Sequence, residues 1–183
     1  MVKKIIIPSV VLTVICLVIS AALAFTNDIT KDRIAEINRQ NQETAMSEIF
    51  SDSKFEEKEL KAEGEKVKYY IASKDGAIIG YVFTTSEIGY GGAVEVMTGV
   101  SNEGKVTAVK VISCADETPG LGQSAKDNPE FLNQFEGKSG AISTEKNAEI
   151  DALTGATITT NAVIKDVNEA LRYYEIIAKE GLK

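Results

Sequence analysis

Residues 5–25 form an uncharged, apolar run of 21 residues near the N-terminus. As a helix that rises about 1.5 Å per residue, such a run reaches roughly 31 Å, which is enough to cross the hydrocarbon core of a bilayer. Pro8 stands close to the start of the run, where a helix tolerates proline. The run therefore predicts a membrane-spanning helix, and it confines any folded domain to the residues that follow.

The charges around this run predict its orientation. Lys3 and Lys4 precede it and no acidic residue lies upstream, so the positive-inside rule places the N-terminus in the cytoplasm and the rest of the chain outside. A cleaved signal peptide is the alternative, because residues 22–24 (Ala-Leu-Ala) resemble a small-x-small cleavage site. The run is longer than the roughly 7–15 residues of a signal-peptide core, which favours an uncleaved anchor.

Composition excludes several classes of function. Beyond Lys4 the chain has 18 basic and 27 acidic residues, a balance that argues against nucleic acid and against docking on anionic lipid. Cys16 lies within the apolar run, which leaves Cys114 as one outer thiol, too few for an iron–sulfur cluster. The absence of His excludes imidazole catalysis, haem ligation by His and His-type zinc sites. No metal site is expected, and a redox cofactor would have to be organic.

Residues 27–50 continue the helical pattern with a polar composition and a loose apolar stripe, which predicts a stalk. The stripe consists of Ile34, Ile37, Ala45, Met46, Ile49 and Phe50. Residues 51–65 are rich in Lys and Glu and predict a linker or a marginal helix. The sequence thus divides into an anchor at residues 1–26, a helical stalk and linker at residues 27–65, and a folded domain at residues 66–183.

The folded domain begins where the hydrophobic period changes. Four β-branched and aromatic runs, at residues 67–72, 77–84, 93–100 and 105–113, predict strands. Turn signals rich in Gly, Asp and Asn separate these runs, which favours antiparallel hairpins. Tyr90, in the second of these turns, is interpreted either as a hairpin tip or as part of a loop near a ligand.

Helices follow the predicted sheet. Asn128 before Pro129 marks the start of a short helix. The aromatic and aliphatic residues of that helix, predicted to be core, are Phe131, Leu132 and Phe135. Apolar residues recur at helical spacing over residues 163–178, with Thr159 or Thr160 as the predicted N-cap. The fold class is α+β: an N-terminal transmembrane helix followed by an extracytoplasmic domain with a twisted antiparallel sheet and packed helices.

Residues 151–157 read Asp-Ala-Leu-Thr-Gly-Ala-Thr and place two hydroxyls around a Gly-Ala pair just before the C-terminal helix. The small side chains at Gly155 and Ala156 leave the Thr157 hydroxyl accessible. Free N–H groups and the positive end of the helix dipole favour a phosphate group there. Taken alone, the segment also fits an ordinary strand-to-helix turn.

Residues 117–122 read Glu-Thr-Pro-Gly-Leu-Gly and form a second motif. Proline fixes φ and the glycines permit positive φ, so a flat ligand can lie close to this backbone. Most segments of this composition are plain loops. The motif gains meaning only in combination with residues 151–157.

Together these segments resemble a known family, the FMN-binding subunits of two membrane redox pumps. The family comprises the G subunit of the Rnf complex and the C subunit of the sodium-pumping NADH:quinone oxidoreductase. Both motifs stand in the family's order and at roughly its spacing, and the short chain is more similar to the G subunit. Family members often carry His shortly before the Glu-Thr-Pro-Gly segment, whereas residues 114–116 here are Cys-Ala-Asp, so no role of that His transfers.

The resemblance implies a covalent FMN, joined by a phosphoester to Thr157, in an electron-carrier subunit of an ion-translocating ferredoxin:NAD oxidoreductase. No catalytic residue is implied, because the flavin performs the redox chemistry. The implied cofactor-binding residues are Thr157, Thr154, Gly155 and Ala156 at the attachment site, and Glu117, Thr118, Gly120 and Leu121 near the flavin ring. Asp151 would be recognised by the flavin transferase that matures the protein, and other membrane subunits of the Rnf complex would be the partners.

Two other functions remain open from the residues themselves. One is a membrane-tethered domain that binds a flavin or another ligand reversibly, with Thr157 unmodified. The other is a stand-alone extracytoplasmic flavoprotein that serves a different electron route.

Overall fold

The structure, a computed structural model, describes residues 2–62, 64–143 and 149–181. The chain divides into two compact units, Met1–Gln40 and Asn41–Lys183. Helix α1 (Val2–Ile49) supplies the described residues of the first unit and the first residues of the second.

The first unit contains a helical segment that is apolar enough to cross a membrane. An 18-residue window within Ile6–Ile49 has a mean hydropathy of 2.7, and none of that window is buried by protein. The described apolar side chains of the predicted span, such as Leu17 and Phe25, are accordingly exposed. The N-terminal apolar helix expected from residues 5–25 is confirmed as a helix of sufficient length and composition.

The second unit is built on a five-stranded antiparallel sheet. Its strands, in chain order, are β1 (Lys54–Ala62), β2 (Glu65–Lys74), β3 (Ala77–Ile88), β4 (Ala93–Ser101) and β5 (Val106–Ser113). Their spatial order is the same, β1-β2-β3-β4-β5, so each strand pairs with its sequence neighbour through a hairpin. The antiparallel sheet predicted from the four β-branched runs is confirmed, and all four runs are strands.

Strand β1 is a correction to the sequence interpretation. Residues 51–65 predicted a linker or a marginal helix, but Lys54–Ala62 pairs along its whole length with β2. Only Leu60 and Ala62 of this strand are buried, and the charged side chains point outward. The segment is a strand because β2 supplies its hydrogen bonds, whereas its own composition is that of a solvated segment.

The sheet has a core on each face. One face packs against the C-terminal helix α4 (Thr157–Glu180), with Tyr81, Phe83 and Val96 among the fully buried side chains. The other face packs against the end of α1 and the residue that follows it, which contribute Ala45, Met46, Ile49 and Phe50. Much of the stripe predicted for a stalk is therefore core of the folded unit.

Short helices connect β5 to α4. They are α2 (Ser124–Asp127) and α3 (Pro129–Leu132), followed by a 3₁₀ turn at Asn133–Phe135. The predicted helix start is confirmed, because the Asn128 side chain accepts a hydrogen bond from the N–H of Phe131 at 3.1 Å. Phe131 and Phe135 are buried in the core, as predicted. Their rings pack edge to face.

Helix α4 begins earlier than the sequence predicted. Its N-cap is Ala156, and Thr157 is the first helical residue, so neither Thr159 nor Thr160 is the N-cap. Both of these threonines are instead buried in the first turn. The Thr160 hydroxyl accepts a hydrogen bond from the N–H of Leu153 at 3.1 Å, which ties the incoming chain to the helix.

Candidate functional site

A cavity of about 550 Å³ lies at the N-terminal end of α4. The loop after β3, the turn at residues 117–122 and the first turn of α4 enclose it. Its lining residues are Tyr90, Glu117, Thr118, Leu121, Gly122, Gly155, Ala156, Thr157, Ile158 and Thr159. The structure thus brings the two sequence motifs together, although residues 123–150 lie between them in the chain.

Thr157 stands at the edge of this cavity with an exposed side chain. Its predecessor Ala156, with φ −131° and ψ 43°, has no side-chain oxygen with which to cap the helix. The first N–H groups of an α-helix have no partner inside the helix, and they carry the positive end of the dipole. A phosphate or another anion beside Thr157 would be hydrogen-bonded and electrostatically stabilised there.

Gly155 has a positive φ of 74°, which turns the chain into α4. A Cβ at this position would lie 3.1 Å from Cδ2 of Leu121, so a larger residue would press on the opposite wall of the cavity. Thr154 precedes this turn as an exposed residue and, within the described chain, is not part of the lining. Of the two threonines of the motif, Thr157 therefore lines the cavity and Thr154 does not.

The turn at residues 117–122 forms the facing wall. The N–H groups of Leu121 and Gln123 both donate to the carbonyl of Thr118, at 3.1 and 3.2 Å. Gly120 has the positive φ of 74° on which the turn depends. Gly120 lies on the outer side of the turn and, unlike the described residues Thr118 and Leu121, does not line the cavity.

Glu117 is an acidic residue of the motif and yet is only 2% exposed. Its Oε2 accepts a hydrogen bond from the Thr159 hydroxyl at 2.7 Å, and its Oε1 accepts one from the N–H of Gly91 at 3.1 Å. The carboxylate thus joins three segments: its own turn, the first turn of α4 and the loop after β3. Sequence reasoning identified Glu117 but missed Gly91 and Thr159, because contacts between distant segments leave no local pattern.

The chemistry of the lining suits a flat, largely apolar ring that carries an anionic group. Tyr90, Leu121 and Ile158 are large apolar side chains at the cavity that remain exposed to solvent. Exposed apolar groups gathered around a concave surface are typical of a ligand site. Ile158 was absent from the sequence prediction, since helical periodicity alone gave it no role.

Of residues 114–116, which stand before the Glu-Thr-Pro-Gly segment, only Cys114 is buried. Cys114 is buried, and its Sγ donates to the carbonyl of Gln123 at 3.8 Å. Burial raises the pKa of the Cys114 thiol, so the nucleophilic thiolate is disfavoured at neutral pH. Among the described residues, no group of three or more His, Cys, Asp or Glu side chains is arranged to hold a metal ion.

Comparisons with known proteins agree with this arrangement. Residues 1–49 match a family model described as the RnfG N-terminal region, and residues 89–172 match one described as the FMN-binding domain. The G subunit of the Na(+)-translocating ferredoxin:NAD(+) oxidoreductase complex of Acetobacterium woodii is 34% identical over 92% of this chain and 91% of its own. The G subunit of the proton-translocating complex of Clostridium ljungdahlii is 35% identical over 87% and 86%.

Solved structures show the same fold. The C subunit of the Na(+)-translocating NADH-quinone reductase from Parabacteroides distasonis superposes with a TM-score of 0.50 at 25% identity, over 60% of this chain and 61% of that one. The likeness covers under two thirds of either chain. These matches confirm the family that residues 117–122 and 151–157 indicated. With relatives this similar along nearly its whole length, the chain belongs to the family of G subunits of Rnf-type, ion-translocating ferredoxin:NAD(+) oxidoreductase complexes.

Proposed function

We propose that this chain is a membrane-anchored electron-transfer subunit that carries FMN covalently, through a phosphoester to the Thr157 hydroxyl. The observation that carries the proposal is the position of Thr157. It is the exposed first residue of a 24-residue helix, and it lines the cavity that both motifs enclose. A nucleophilic hydroxyl and a phosphate-binding helix end therefore coincide at one residue.

The residues present fit FMN. The cavity volume of about 550 Å³ lies within the roughly 300–1,000 Å³ of small-molecule sites. Leu121 and Ile158 offer apolar surface for a ring, while the N–H groups of the first helical turn suit a phosphate. FMN supplies reversible electron transfer when bound, and the protein sets its position and electronic environment.

The neighbours of Thr157 support its modification by an enzyme. Gly155 and Ala156 keep bulk away from the hydroxyl, and Thr154 shapes the same turn. Asp151 is held through its backbone, because its N–H donates to Oε1 of Gln134 at 2.6 Å while its side chain stays exposed. An exposed acid on a fixed backbone is a suitable recognition feature for a flavin transferase.

The facing wall would hold the ring. Thr118 and Leu121 line the cavity opposite the helix, and they would lie beside the flavin ring. Gly120 would shape the turn that carries both residues, since it lies between them in the chain with a positive φ of 74°.

Covalent attachment has a physical reason in the proposed topology. Lys3 and Lys4 favour a cytoplasmic N-terminus, which puts the FMN-binding domain on the outer side of the cytoplasmic membrane. A dissociated flavin would diffuse away there, whereas a covalent bond keeps it at high effective concentration. The partners are the other membrane subunits of the Rnf complex, between whose redox centres this subunit would carry electrons.

The attachment is tested with the full chain co-expressed with a flavin transferase. The intact mass of wild type should exceed that of the unmodified chain by one FMN less one water, and Thr157→Ala should be unmodified. Thr154→Ala is the matched control, since it removes the other hydroxyl of the motif and should retain the flavin. Flavin that leaves acid-denatured wild-type protein would favour the reversible-binding alternative, and flavin lost in Thr154→Ala alone would move the attachment to that residue.

The topology is tested by adding protease to intact spheroplasts. The FMN-binding domain should be digested from outside, while a tag at the N-terminus should be protected. Protection of the domain would reverse the orientation and remove the reason given for covalent attachment.

A further inference from the structure

The loop between β3 and β4 has the sequence Gly89-Tyr90-Gly91-Gly92 and carries only one side chain. The N–H of Gly89 donates to the carbonyl of Gly92 at 2.8 Å, which closes the loop as a tight turn. A Cβ on Gly91 would overlap the backbone carbonyl of Asp116, and one on Gly92 would approach the Cβ of Asp116 to 2.7 Å. The loop therefore lies against the segment before the Glu-Thr-Pro-Gly motif with no room for side chains on that side.

The Glu117 carboxylate fills the space that glycines leave on both sides of it. A Cβ on Gly89 would overlap Oε1 of Glu117, and a Cβ on Gly122 would overlap Oε2. The same two oxygens accept the hydrogen bonds from Gly91 and Thr159. Since the carboxylate is almost fully buried, these contacts hold the loop, the turn and the helix at fixed separations.

Tyr90 is the single side chain that this arrangement presents. It is 71% exposed, yet it lines the cavity opposite the first turn of α4. Burial in the core does not explain an aromatic residue at this position, because most of the Tyr90 ring is in contact with solvent. A ring held at the mouth of an apolar cavity is suited to stack on a flat aromatic ligand.

We propose that Tyr90 is a contact for the flavin ring and that Glu117 is the residue that positions it, by tying the loop at Gly89–Gly92 to the first turn of α4. The proposal rests on the proposed FMN site and deepens it. Glu117 acts here through Gly91 and Thr159, whose donors occupy both of its carboxylate oxygens. Thr157 holds one end of the cofactor, and the loop sets the environment of the other.

Flavin fluorescence in the covalently loaded full chain tests this inference. A tyrosine in contact with a flavin quenches its emission by donating an electron to the excited ring. Tyr90→Ala should therefore raise the emission per flavin several-fold, while Tyr90→Leu should raise it as much because it restores bulk without the donor ring. Glu117→Ala should also raise the emission, because the loop that carries Tyr90 is no longer held to the helix.

The decisive measurement is the double-mutant cycle. If Glu117 acts through Tyr90, the variant Glu117→Ala/Tyr90→Ala should emit no more than Tyr90→Ala alone. An effect of Glu117→Ala that persists in full without Tyr90 would overturn the positioning role. Unchanged emission in Tyr90→Ala with full flavin occupancy would overturn the contact. Should Glu117→Ala fail to fold, Thr159→Val removes the donor to Oε2 and takes its place in the cycle.

Intact mass under denaturing conditions accompanies every sample. This mass measurement tests the attachment at Thr157 separately from the ring contact of Tyr90. Loss of covalent flavin from wild type would count against Thr157 and not against Tyr90. In that event the same cycle is measured with added FMN at saturating concentration. A Tyr90-dependent quenching there would support the ring contact, and its absence would overturn it.

Discussion

Two buried acids, Glu117 beside α4 and Asp166 within it, have very different hydrogen-bonding environments. Glu117 lies at the N-terminal end of α4 and accepts one hydrogen bond on each oxygen. Asp166 lies further along the same helix, 0% exposed, and neither of its carboxylate oxygens has a hydrogen-bond partner among the described residues. The Thr85 hydroxyl next to it donates to the Asp166 backbone carbonyl at 3.2 Å.

The difference follows from what each residue faces. Glu117 meets a glycine loop and a helix N-terminal turn, both of which supply donors. Beside Asp166, by contrast, the Thr85 hydroxyl donates to backbone carbonyls. Burial raises the pKa of Asp166 to about 7. The negative charges of Glu87 and Glu169 add to the shift, while the nearby Thr85 hydroxyl and the Glu87 backbone oppose it without coming within hydrogen-bond distance of the carboxylate. A buried acid can thus organise a site or act as a source of instability, depending on whether donors surround it.

The largest expected effect is the pH dependence caused by Asp166. The unfolded chain loses this proton near 3.8 and the folded chain near 7, so the folded state binds more protons between these values. The free energy of unfolding should therefore decrease as pH rises through this window, by up to about 4 kcal/mol, and the contribution should be constant above it. Urea unfolding of the detergent-solubilised chain, followed by circular dichroism at several pH values, measures it.

Other carboxyl groups titrate in the same range, so Asp166→Asn is the control. The variant should match wild type near pH 4 and become the more stable protein as pH rises to about 7. Parallel pH profiles for the two proteins would mean that water or a donor reaches this carboxyl group in solution.

The second effect concerns Glu117. Glu117→Ala should lower the free energy of unfolding by about 2–4 kcal/mol, because the Gly91 N–H and the Thr159 hydroxyl lose their acceptor in a buried place. Asp116→Ala is a matched control, since the adjacent acid is exposed and its loss should change stability little. Equal small losses in both variants would contradict the view that Glu117 joins three segments.

A smaller effect should follow from Thr159→Val, which keeps the shape of the side chain and removes one donor to Glu117. The expected loss is about 1.5–3 kcal/mol, the usual consequence of one lost hydrogen bond to a charged group. Combined with Glu117→Ala, the change should add little, because the interaction is already absent. Strict additivity in thermal or urea unfolding would show that Thr159 stabilises the helix by another route.

The smallest effect should come from Thr85→Val. This change removes a hydroxyl that bonds two backbone carbonyls, those of Asp166 and Val96, so about 0.5–1.5 kcal/mol should be lost at every pH. The pH profile that Asp166 produces should keep its slope. A steeper decrease with pH would reveal that the Thr85 hydroxyl turns to the Asp166 carboxylate.

Local signals predicted much of the domain. Asp75 and Gly76, with φ of 52° and 82°, form the β2–β3 turn that their sequence indicates, and Pro129 begins a helix behind its Asn128 cap. The apolar spacing of α4 placed Val163 and Val167 in the core, where both are fully buried. These features depend on backbone preferences and on one-sided burial, which a short window of sequence contains.

Other features needed the folded chain. Strand β1 has the charge of a linker and becomes a strand because β2 lies beside it. Ala156 becomes the N-cap of α4 in place of a threonine, because Thr159 and Thr160 bond to Glu117 and to the N–H of Leu153. Propensity was overridden in both cases by contacts with segments that a local window does not include.

The sequence by itself determined the apolar N-terminal helix, the hairpins from β2 to β5, the last helix and the two motifs that indicated the family. Only the tertiary structure decided that Glu117 meets Gly91 and Thr159, which lie 26 and 42 positions away, and that Asp166 is buried without a donor among the residues described. The physical reason is the range of the forces involved. Backbone preference and hydrophobic periodicity act between neighbours in the chain, while the partner of a buried polar group is chosen by packing that brings distant segments together.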